Sequence, residues 1–130
     1  MSTSFNLMRL AEITESLPSW QPKDGMGTCM QIGTKRGTSL IWGLLKESGI
    51  AVANTFFSKG SVLEEHSHDQ KEYLIIYKGR AVITVEGVDT ILTVGDSIVF
   101  EIEQTHSQVC EEDTWLIAVT IPESEVFPNA

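Results

Sequence analysis

From about residue 27 onward the chain consists of short hydrophobic runs separated by polar turns, and hydrophobic and polar residues alternate in some of these runs. These runs are rich in Val, Ile, Thr and aromatic residues. Turn signals built around Gly separate them, at residues 35–37, 47–49, 59–60, 78–79, 86–87 and 95–96. Turns that recur about every 8–12 residues are typical of an antiparallel sandwich or barrel, not of strands alternating with helices. The pattern therefore predicts an all-β domain over residues 27–122.

Two of these runs differ in how many faces of the predicted strand are buried. Residues 80–86 alternate, with Ala81, Ile83 and Val85 on one parity, as expected of a strand with one buried face. Residues 73–77 are apolar throughout, which predicts a strand covered on both faces.

The two ends of the chain differ from this β pattern. Apolar residues at positions 7, 10, 13 and 17 have nearly helical spacing, and Pro18 ends the run. We predict a short helix or an extended arm over residues 1–26. Residues 123–130 are mostly polar and follow Pro122, so we expect a loosely held tail there.

The composition is that of one ordinary globular domain, with 130 residues of which 42% are hydrophobic and 21% are charged. The net charge is -9, and an acidic surface repels phosphate backbones and anionic lipids. The longest apolar runs, such as residues 116–119, are far shorter than the roughly 20 residues that cross a bilayer. We therefore expect neither nucleic acid nor a membrane as a partner.

The chain contains two cysteines, Cys29 and Cys110, which are too few for a disulfide framework. No cationic segment followed by an apolar stretch opens the sequence, so no secretory signal is predicted. We expect both cysteines to be reduced core residues and the protein to be cytoplasmic.

Residues 66–72 read HSHDQKE and concentrate two of the three histidines of the chain. Residues of equal parity share a face of a strand, so His66 and His68 are expected to project from one face about 7 Å apart. The polar residues 69–71 predict a turn that returns Glu72 on a strand alongside the first. Imidazole and carboxylate ligands suit Fe, Mn, Co, Ni, Cu or Zn. The alternative, from these residues alone, is a hairpin with two exposed histidines and a surface acid.

The spacing around these histidines resembles the first motif of the cupin family, G-x5-H-x-H-x3-E-x6-G. Every fixed position of that motif is matched, by Gly60, His66, His68, Glu72 and Gly79.

The second cupin motif, G-x5-P-x-G-x2-H-x3-N, is matched in part, by Gly95 and His106. Three positions differ: Glu101 stands for the proline, Glu103 for the glycine and Cys110 for the asparagine.

The resemblance implies a double-stranded β-helix, or jelly-roll barrel, over residues 27–122. It also implies one divalent transition metal in the mouth of the barrel, held by His66, His68, Glu72 and His106. All three histidines of the chain would then be ligands.

The departures from the second motif predict a reshaped turn and no further ligand. Proline and glycine serve backbone shape at such positions, and we expect Glu101 and Glu103 to face solvent. Cys110 lies four residues beyond His106, which is about 13 Å along an extended strand. We therefore expect Cys110 to be a small buried side chain and not a ligand.

Three further residues are candidates for lining a pocket beside the metal. Gln108 shares the parity of His106, and Phe100 precedes the turn that carries His106. Glu64 shares the parity of His66, although a solvent-facing acid fits the same pattern.

Cupins include dioxygenases, isomerases, decarboxylases and hydrolases that act on small molecules. The resemblance therefore implies a metal-dependent enzyme, dioxygenase-like or isomerase-like, with a small-molecule substrate. Glu72 is the candidate catalytic base, because a carboxylate can leave the metal whereas the histidines anchor it. The same fold also serves non-catalytic modules that bind a small ligand or a metal for sensing or storage, and that alternative stays open.

The N-terminal arm carries apolar side chains that predict a homodimer, namely Leu7, Leu10, Ile13, Leu17 and Trp20. An arm that crosses onto a second copy would bury these side chains and protect an exposed sheet edge.

Overall fold

The computed structural model of the protein describes residues 29–31 and 35–122, which form ten β-strands. In chain order they are β1 (Cys29–Gln31), β2 (Ser39–Glu47), β3 (Ile50–Phe57), β4 (Val62–His66), β5 (Lys71–Lys78), β6 (Arg80–Val85), β7 (Val88–Thr93), β8 (Ser97–Phe100), β9 (His106–Cys110) and β10 (Thr114–Ile121). The described residues contain no helix long and apolar enough to cross a membrane. The predicted arm over residues 1–26 and the predicted tail over residues 123–130 lie outside the described residues.

The strands form two antiparallel sheets that enclose a common core. One sheet has six strands in the order β1-β2-β3-β10-β5-β8, and the other has four in the order β4-β9-β6-β7. The chain changes sheet at six of its connections, so most strands that follow each other in sequence are not hydrogen-bonded neighbours. This is a jelly-roll arrangement, and the predicted all-β barrel is confirmed.

The main core lies between the two sheets. The six-stranded sheet contributes Phe57, Leu74, Ile76, Phe100, Leu116 and Ala118, and the four-stranded sheet contributes Ala81, Ile83, Leu92 and Cys110. The parity predicted for residues 80–86 is therefore correct, since Val85 packs against the same core. Cys110 is 1% exposed, so its predicted burial is confirmed.

The outer face of the six-stranded sheet is also apolar, and it is only partly covered. Trp42 and Trp115 are buried there and stack with ring centroids 5.9 Å apart. Tyr73 and Ile75 are 40% and 37% exposed. The prediction that residues 73–77 are covered on both faces is therefore wrong, because one face of β5 packs on the core and the other meets solvent.

Both glycines of the first motif have a positive φ, and at Gly79 there is also no space for a side chain. Gly79, between β5 and β6, has a φ of 96°, in the left-handed region that favours glycine. A Cβ at this position would lie 2.4 Å from the carbonyl oxygen of Asp113. Glycine therefore lets the chain pass from one sheet to the other in close contact with the segment that leads into β10.

Candidate metal centre

His66 and His106 lie directly opposite each other at one end of the four-stranded sheet. They are paired in register across β4 and β9, and their ring centroids are 4.3 Å apart. His66 is the last residue of β4 and His106 is the first of β9. Antiparallel pairing therefore brings together two histidines that are distant in sequence.

A β-bulge in β4 decides which side chains of that strand face inward. From Leu63 to His66, β4 advances three residues while β9 advances two, from Gln108 to His106. The extra residue shifts the parity, so Leu63 packs against the core whereas the side chain of Glu64 is 65% exposed. Glu64 therefore does not face the same side of the strand as His66, and its side chain faces solvent, which is the alternative expectation.

His68 lies beyond the end of β4, in the connection to β5, and not on the strand face that the pattern predicted. Its carbonyl oxygen accepts a hydrogen bond of 2.8 Å from the amide N–H of Glu103. Its ring centroid is 6.0 Å from that of His66 and 5.3 Å from that of His106. The turn before β9 therefore holds the third histidine beside the other two.

Glu72 reaches the histidines from the opposite sheet. β5 pairs with β10 and β8, so the predicted return of Glu72 on a strand alongside β4 is wrong. The chain crosses the barrel after His68, because β4 and β5 belong to different sheets. Oε1 of Glu72 lies 3.6 Å from Nε2 of His68 and 3.9 Å from Nε2 of His106. The alternative of a hairpin with two exposed histidines is not observed, since β4 and β5 do not pair and His66 and His68 are both partly buried.

A main-chain carbonyl group holds each of the three imidazole rings through Nδ1. The distances from Nδ1 to the carbonyl oxygen are 2.8 Å for His66 and Glu64, 2.9 Å for His68 and Gln70, and 2.9 Å for His106 and Gln104. A carbonyl oxygen only accepts hydrogen bonds, so in each neutral ring Nδ1 carries the proton and Nε2 keeps its lone pair. Contacts of this kind fix the tautomer and the orientation of metal-binding histidines.

The three histidines can each offer one ligand atom, and these atoms lie within 4.8 Å of one another. Nε2 of His68 is buried and has no hydrogen-bond partner. A buried nitrogen without a partner is unfavourable in a folded protein, and a bound cation would satisfy its lone pair. The residues therefore fit a metal ion, with three imidazoles as donors and the Glu72 carboxylate beside two of them.

The surroundings shift the pKa values of two of the histidines in opposite directions. The pKa of His68 is raised because the Glu72 carboxylate accepts a hydrogen bond from the protonated ring, and burial opposes this effect. The pKa of His106 is lowered because burial disfavours the charged ring, and repulsion from His66 adds to the lowering. As the pH falls, His68 therefore gains its proton before His106 does.

Phe100 packs flat against the ring of His106, with centroids 3.8 Å apart and planes 5° apart. It is 1% exposed and lies opposite Glu72 in the ladder between β5 and β8. This predicted pocket residue therefore forms an apolar wall against the histidine cluster.

Gln108 and Glu64, the other two predicted pocket residues, line a surface cleft of about 480 Å³ together with Lys35 and Leu63. Gln108 is 5% exposed, and its side-chain amide donates a hydrogen bond of 3.3 Å to Sγ of Cys110. These two residues therefore line a cleft beside the bulged strand β4, whereas Phe100 lies at the histidines.

Cys110 is at the opposite end of β9 from His106 and is not part of the histidine cluster. Burial raises the pKa of its thiol, with nearby Ser61, Thr114 and Gln108 partly offsetting the shift. The thiol is therefore neutral at ordinary pH.

In the turn before β9, Glu103 adopts a backbone conformation that is usual for glycine. Glu103 has a φ of 63°, in the left-handed region. The amide of Gln104 donates to the carbonyl oxygen of Glu101 at 3.0 Å, and the amide of Glu101 donates to Oε1 of Gln104 at 3.0 Å. Glu101 and Glu103 are exposed, as predicted. Glu103 therefore adopts the backbone conformation that favours glycine, which stands at this position of the motif.

Sequence reasoning did not single out Thr120, which lies beside Glu72. The two residues are directly opposite each other in the ladder between β10 and β5. No local sequence signal could have found Thr120, because the pairing of the tenth strand with the fifth depends on the order of strands in the sheet.

Comparison with protein families agrees with this geometry. The family model described as a cupin domain matches residues 55–122, which is more than half of the chain. The matched region includes all three histidines and Glu72. No curated protein matches the sequence at a significant level.

Solved structures from several bacteria share the fold. An RmlC-like cupin from Shewanella frigidimarina NCIMB 400 is 25% identical with a TM-score of 0.69, and the match covers 76% of this chain and 86% of that chain. KdgF from Halomonas sp. is 19% identical with a TM-score of 0.67, covering 74% of this chain and 88% of that chain. A predicted oxalate decarboxylase from Thermotoga maritima is 23% identical with a TM-score of 0.66, covering 75% and 94%. At these identities the likeness establishes the fold and not the activity.

Proposed function

Because the chain belongs to the cupin family, we propose that it is a metal-dependent enzyme acting on a small molecule. One divalent transition metal is held by His66, His68, Glu72 and His106. The observation that carries this proposal is the set of three Nδ1 contacts to carbonyl oxygens, which leaves the Nε2 lone pairs of three clustered histidines, two of them beside the Glu72 carboxylate. Fe, Mn, Ni, Co, Cu and Zn all accept such nitrogen and oxygen donors.

The side chains of the site have separate tasks in this proposal. When bound, the metal supplies Lewis-acid polarisation of a substrate oxygen or, if it is redox-active, oxygen chemistry. The three imidazoles act as anchors, since their carbonyl partners already hold them in orientation. Phe100 covers one face of His106 and keeps water from that side of the site.

Glu72 is the proposed catalytic base. It comes from the opposite sheet to His66 and His106, and its side chain is 20% exposed, so it can turn toward a substrate. A carboxylate that binds a metal keeps further lone pairs that can take up a proton, whereas an imidazole that donates its Nε2 lone pair to a metal has none left. Proton transfer by Glu72 serves either an isomerase-like or a dioxygenase-like reaction on an oxygen-containing substrate.

Metal analysis tests the ligand set. We expect about one divalent transition metal per chain in the wild type and loss of that metal in His66→Ala and in His106→Ala. Equal metal content in all three proteins would contradict the site.

A small-molecule screen of the metal-loaded protein tests the enzymatic part of the proposal. Oxygen uptake and isomerisation are measured with small phenols, thiols and diketones. Glu72→Gln is expected to retain metal when metal is in excess and to lose most turnover, because an amide cannot act as a base. A metal-loaded wild type that binds a metabolite tightly and turns over nothing would favour the non-catalytic binding module.

We also propose that the protein is a cytoplasmic homodimer. The outer face of the six-stranded sheet exposes Tyr73, Ile75 and Ile121, and neighbouring exposed apolar residues mark interaction surfaces. Cys110 is a free thiol, which fits a reducing compartment.

A further inference from the structure

The side-chain hydroxyl of Thr120 is buried and has no hydrogen-bond partner. The residue as a whole is 9% exposed. Buried hydroxyl groups in native proteins are nearly always hydrogen-bonded, because leaving one unpaired is unfavourable. An orphaned hydroxyl beside a candidate metal centre therefore needs an explanation.

Thr120 faces the interior of the barrel next to Glu72. Along β10, Leu116 and Ala118 belong to the core between the sheets, and Thr120 continues their parity. It lies directly opposite Glu72 on β5 and opposite Ala51 on β3. Directly opposed residues have Cβ atoms about 4.5–5.5 Å apart. Of these two neighbours, only Glu72 has a side chain that can accept a hydrogen bond.

We propose that Thr120 is a positioning residue for Glu72 and donates its hydroxyl hydrogen to the carboxylate when Glu72 binds the metal. The inference rests on the proposed function, in which Glu72 is a ligand. Oε1 of Glu72 faces His68 and His106, which leaves the second carboxylate oxygen for Thr120. Rotation about χ1 moves the Thr120 hydroxyl between staggered positions without moving the backbone.

The expected size of the effect follows from the general behaviour of metal sites. Carboxylate ligands are usually held by hydrogen bonds from outside the ligand set, and losing such a partner weakens metal binding by about 10–100-fold. In the metal-free state the hydroxyl stabilises nothing, so its removal should not lower the stability of the fold.

Thr55 offers a matched control for the loss of a buried hydroxyl. Its Oγ1 is also buried without a partner, and the residue is 3% exposed. It lies opposite Leu116 on β10, which is four residues from Thr120 and therefore about 13 Å away along the strand. Thr55→Val thus removes the same group from the same face of the sheet at a distance from Glu72.

The test measures the affinity of the full chain for Mn²⁺ or Zn²⁺ by competition with a chelator, together with the Tm of the metal-free protein. Thr120→Val keeps the shape of the side chain and is expected to weaken metal binding by about tenfold without lowering the Tm. Thr120→Ser is expected to restore nearly wild-type affinity, because it retains the donor. Thr55→Val is expected to leave the affinity unchanged.

A double-variant cycle shows whether Thr120 acts through Glu72. Glu72→Ala is expected to weaken metal binding at least as much as Thr120→Val, and the two changes together are expected to be no worse than Glu72→Ala alone. If Glu72→Ala leaves the affinity unchanged, the proposed ligand set itself is wrong. If Glu72→Ala weakens binding and Thr120→Val does not, the role of Thr120 is overturned and the ligand set stands. The same conclusion follows if Thr120→Val weakens binding equally in the wild type and in Glu72→Ala.

Discussion

The aromatic ring of Phe100 lies flat against the imidazole of His106, with ring centroids 3.8 Å apart and planes 5° apart. The contact joins the last residue of β8 to the first residue of β9. It covers one face of the imidazole, and burial is the main cause of the lowered pKa of His106. A ring that stays neutral keeps the lone pair that a metal requires.

Phe100→Leu should raise the pKa of His106 toward its ordinary value, since the smaller side chain leaves the ring more hydrated. The lost core volume should also lower the free energy of unfolding by about 1–3 kcal/mol. NMR titration of the histidine ring measures the pKa, and denaturant unfolding measures the stability. Ile98→Val, in the same strand, is the control: it should cost about 0.5–1.5 kcal/mol and leave the pKa of His106 where it was. An unchanged pKa in Phe100→Leu would show that the stacked ring does not control the ionisation of His106.

Metal affinity should decrease as the pH falls, because only neutral imidazoles bind the metal. The raised pKa of His68 means that protons begin to compete above the usual imidazole value of about 6.5. The lowered pKa of His106 means that this ring competes only at lower pH. Affinity is therefore greatest above the raised pKa of His68 and is lost as the pH drops through it.

Chelator competition between about pH 8 and pH 5 measures this dependence. Glu72→Gln removes the carboxylate that raises the pKa of His68, so the onset of metal loss should move to lower pH in that variant. An onset at the same pH in both proteins would mean that Glu72 does not control the protonation of His68.

Cys110→Ser should leave the metal content unchanged, because the thiol lies at the other end of β9 from His106. Polar groups of Ser61, Thr114 and Gln108 surround the thiol and can bind a serine hydroxyl. We therefore expect a loss of only about 1 kcal/mol in stability. Elemental analysis and thermal unfolding provide the two measurements. Metal loss as complete as in His106→Ala would place Cys110 in the ligand set.

Glu103→Gly should stabilise the protein. An L-residue in the left-handed region costs about 1–2 kcal/mol relative to glycine, and glycine gives back about 0.4–1 kcal/mol through the greater entropy of the unfolded chain. Because Glu103 has a φ of 63°, we expect glycine to raise the free energy of unfolding by about 0.5–1 kcal/mol. Denaturant unfolding measures this gain. Glu103→Ala removes the charge but keeps the backbone strain, and it should give no such gain. Equal gains in both variants would instead assign the effect to relief of the net charge of -9.

Light scattering should give twice the 14.4 kDa mass of one chain at micromolar concentration. Ile75→Lys places a charge on the exposed outer face of the six-stranded sheet and should shift the mass toward that of a monomer. Ile91→Lys is the matched control, since Ile91 is 52% exposed on β7 of the other sheet. A wild type that scatters as a monomer would exclude the homodimer.

The sequence by itself determined the class of the fold and the residues of the candidate metal centre. Turn spacing and alternation are local properties of a strand, so they predicted the β-rich region without knowledge of any partner strand. The spacing of His66, His68, Glu72 and His106 is likewise readable along the chain. The ligand atoms of the three histidines lie within 4.8 Å of one another, and Oε1 of Glu72 lies 3.6 Å from Nε2 of His68 and 3.9 Å from Nε2 of His106. Burial of Cys110 also followed from its local position.

Only the tertiary structure decided how those residues approach one another. A bulge adds one residue to β4, which reverses the parity that sequence alone assigned to Glu64. Glu72 arrives from the opposite sheet, and Thr120 becomes its neighbour because β10 pairs with β5. Strand partners and register are set by which apolar faces pack together across the whole barrel, and no local stretch of sequence specifies that choice.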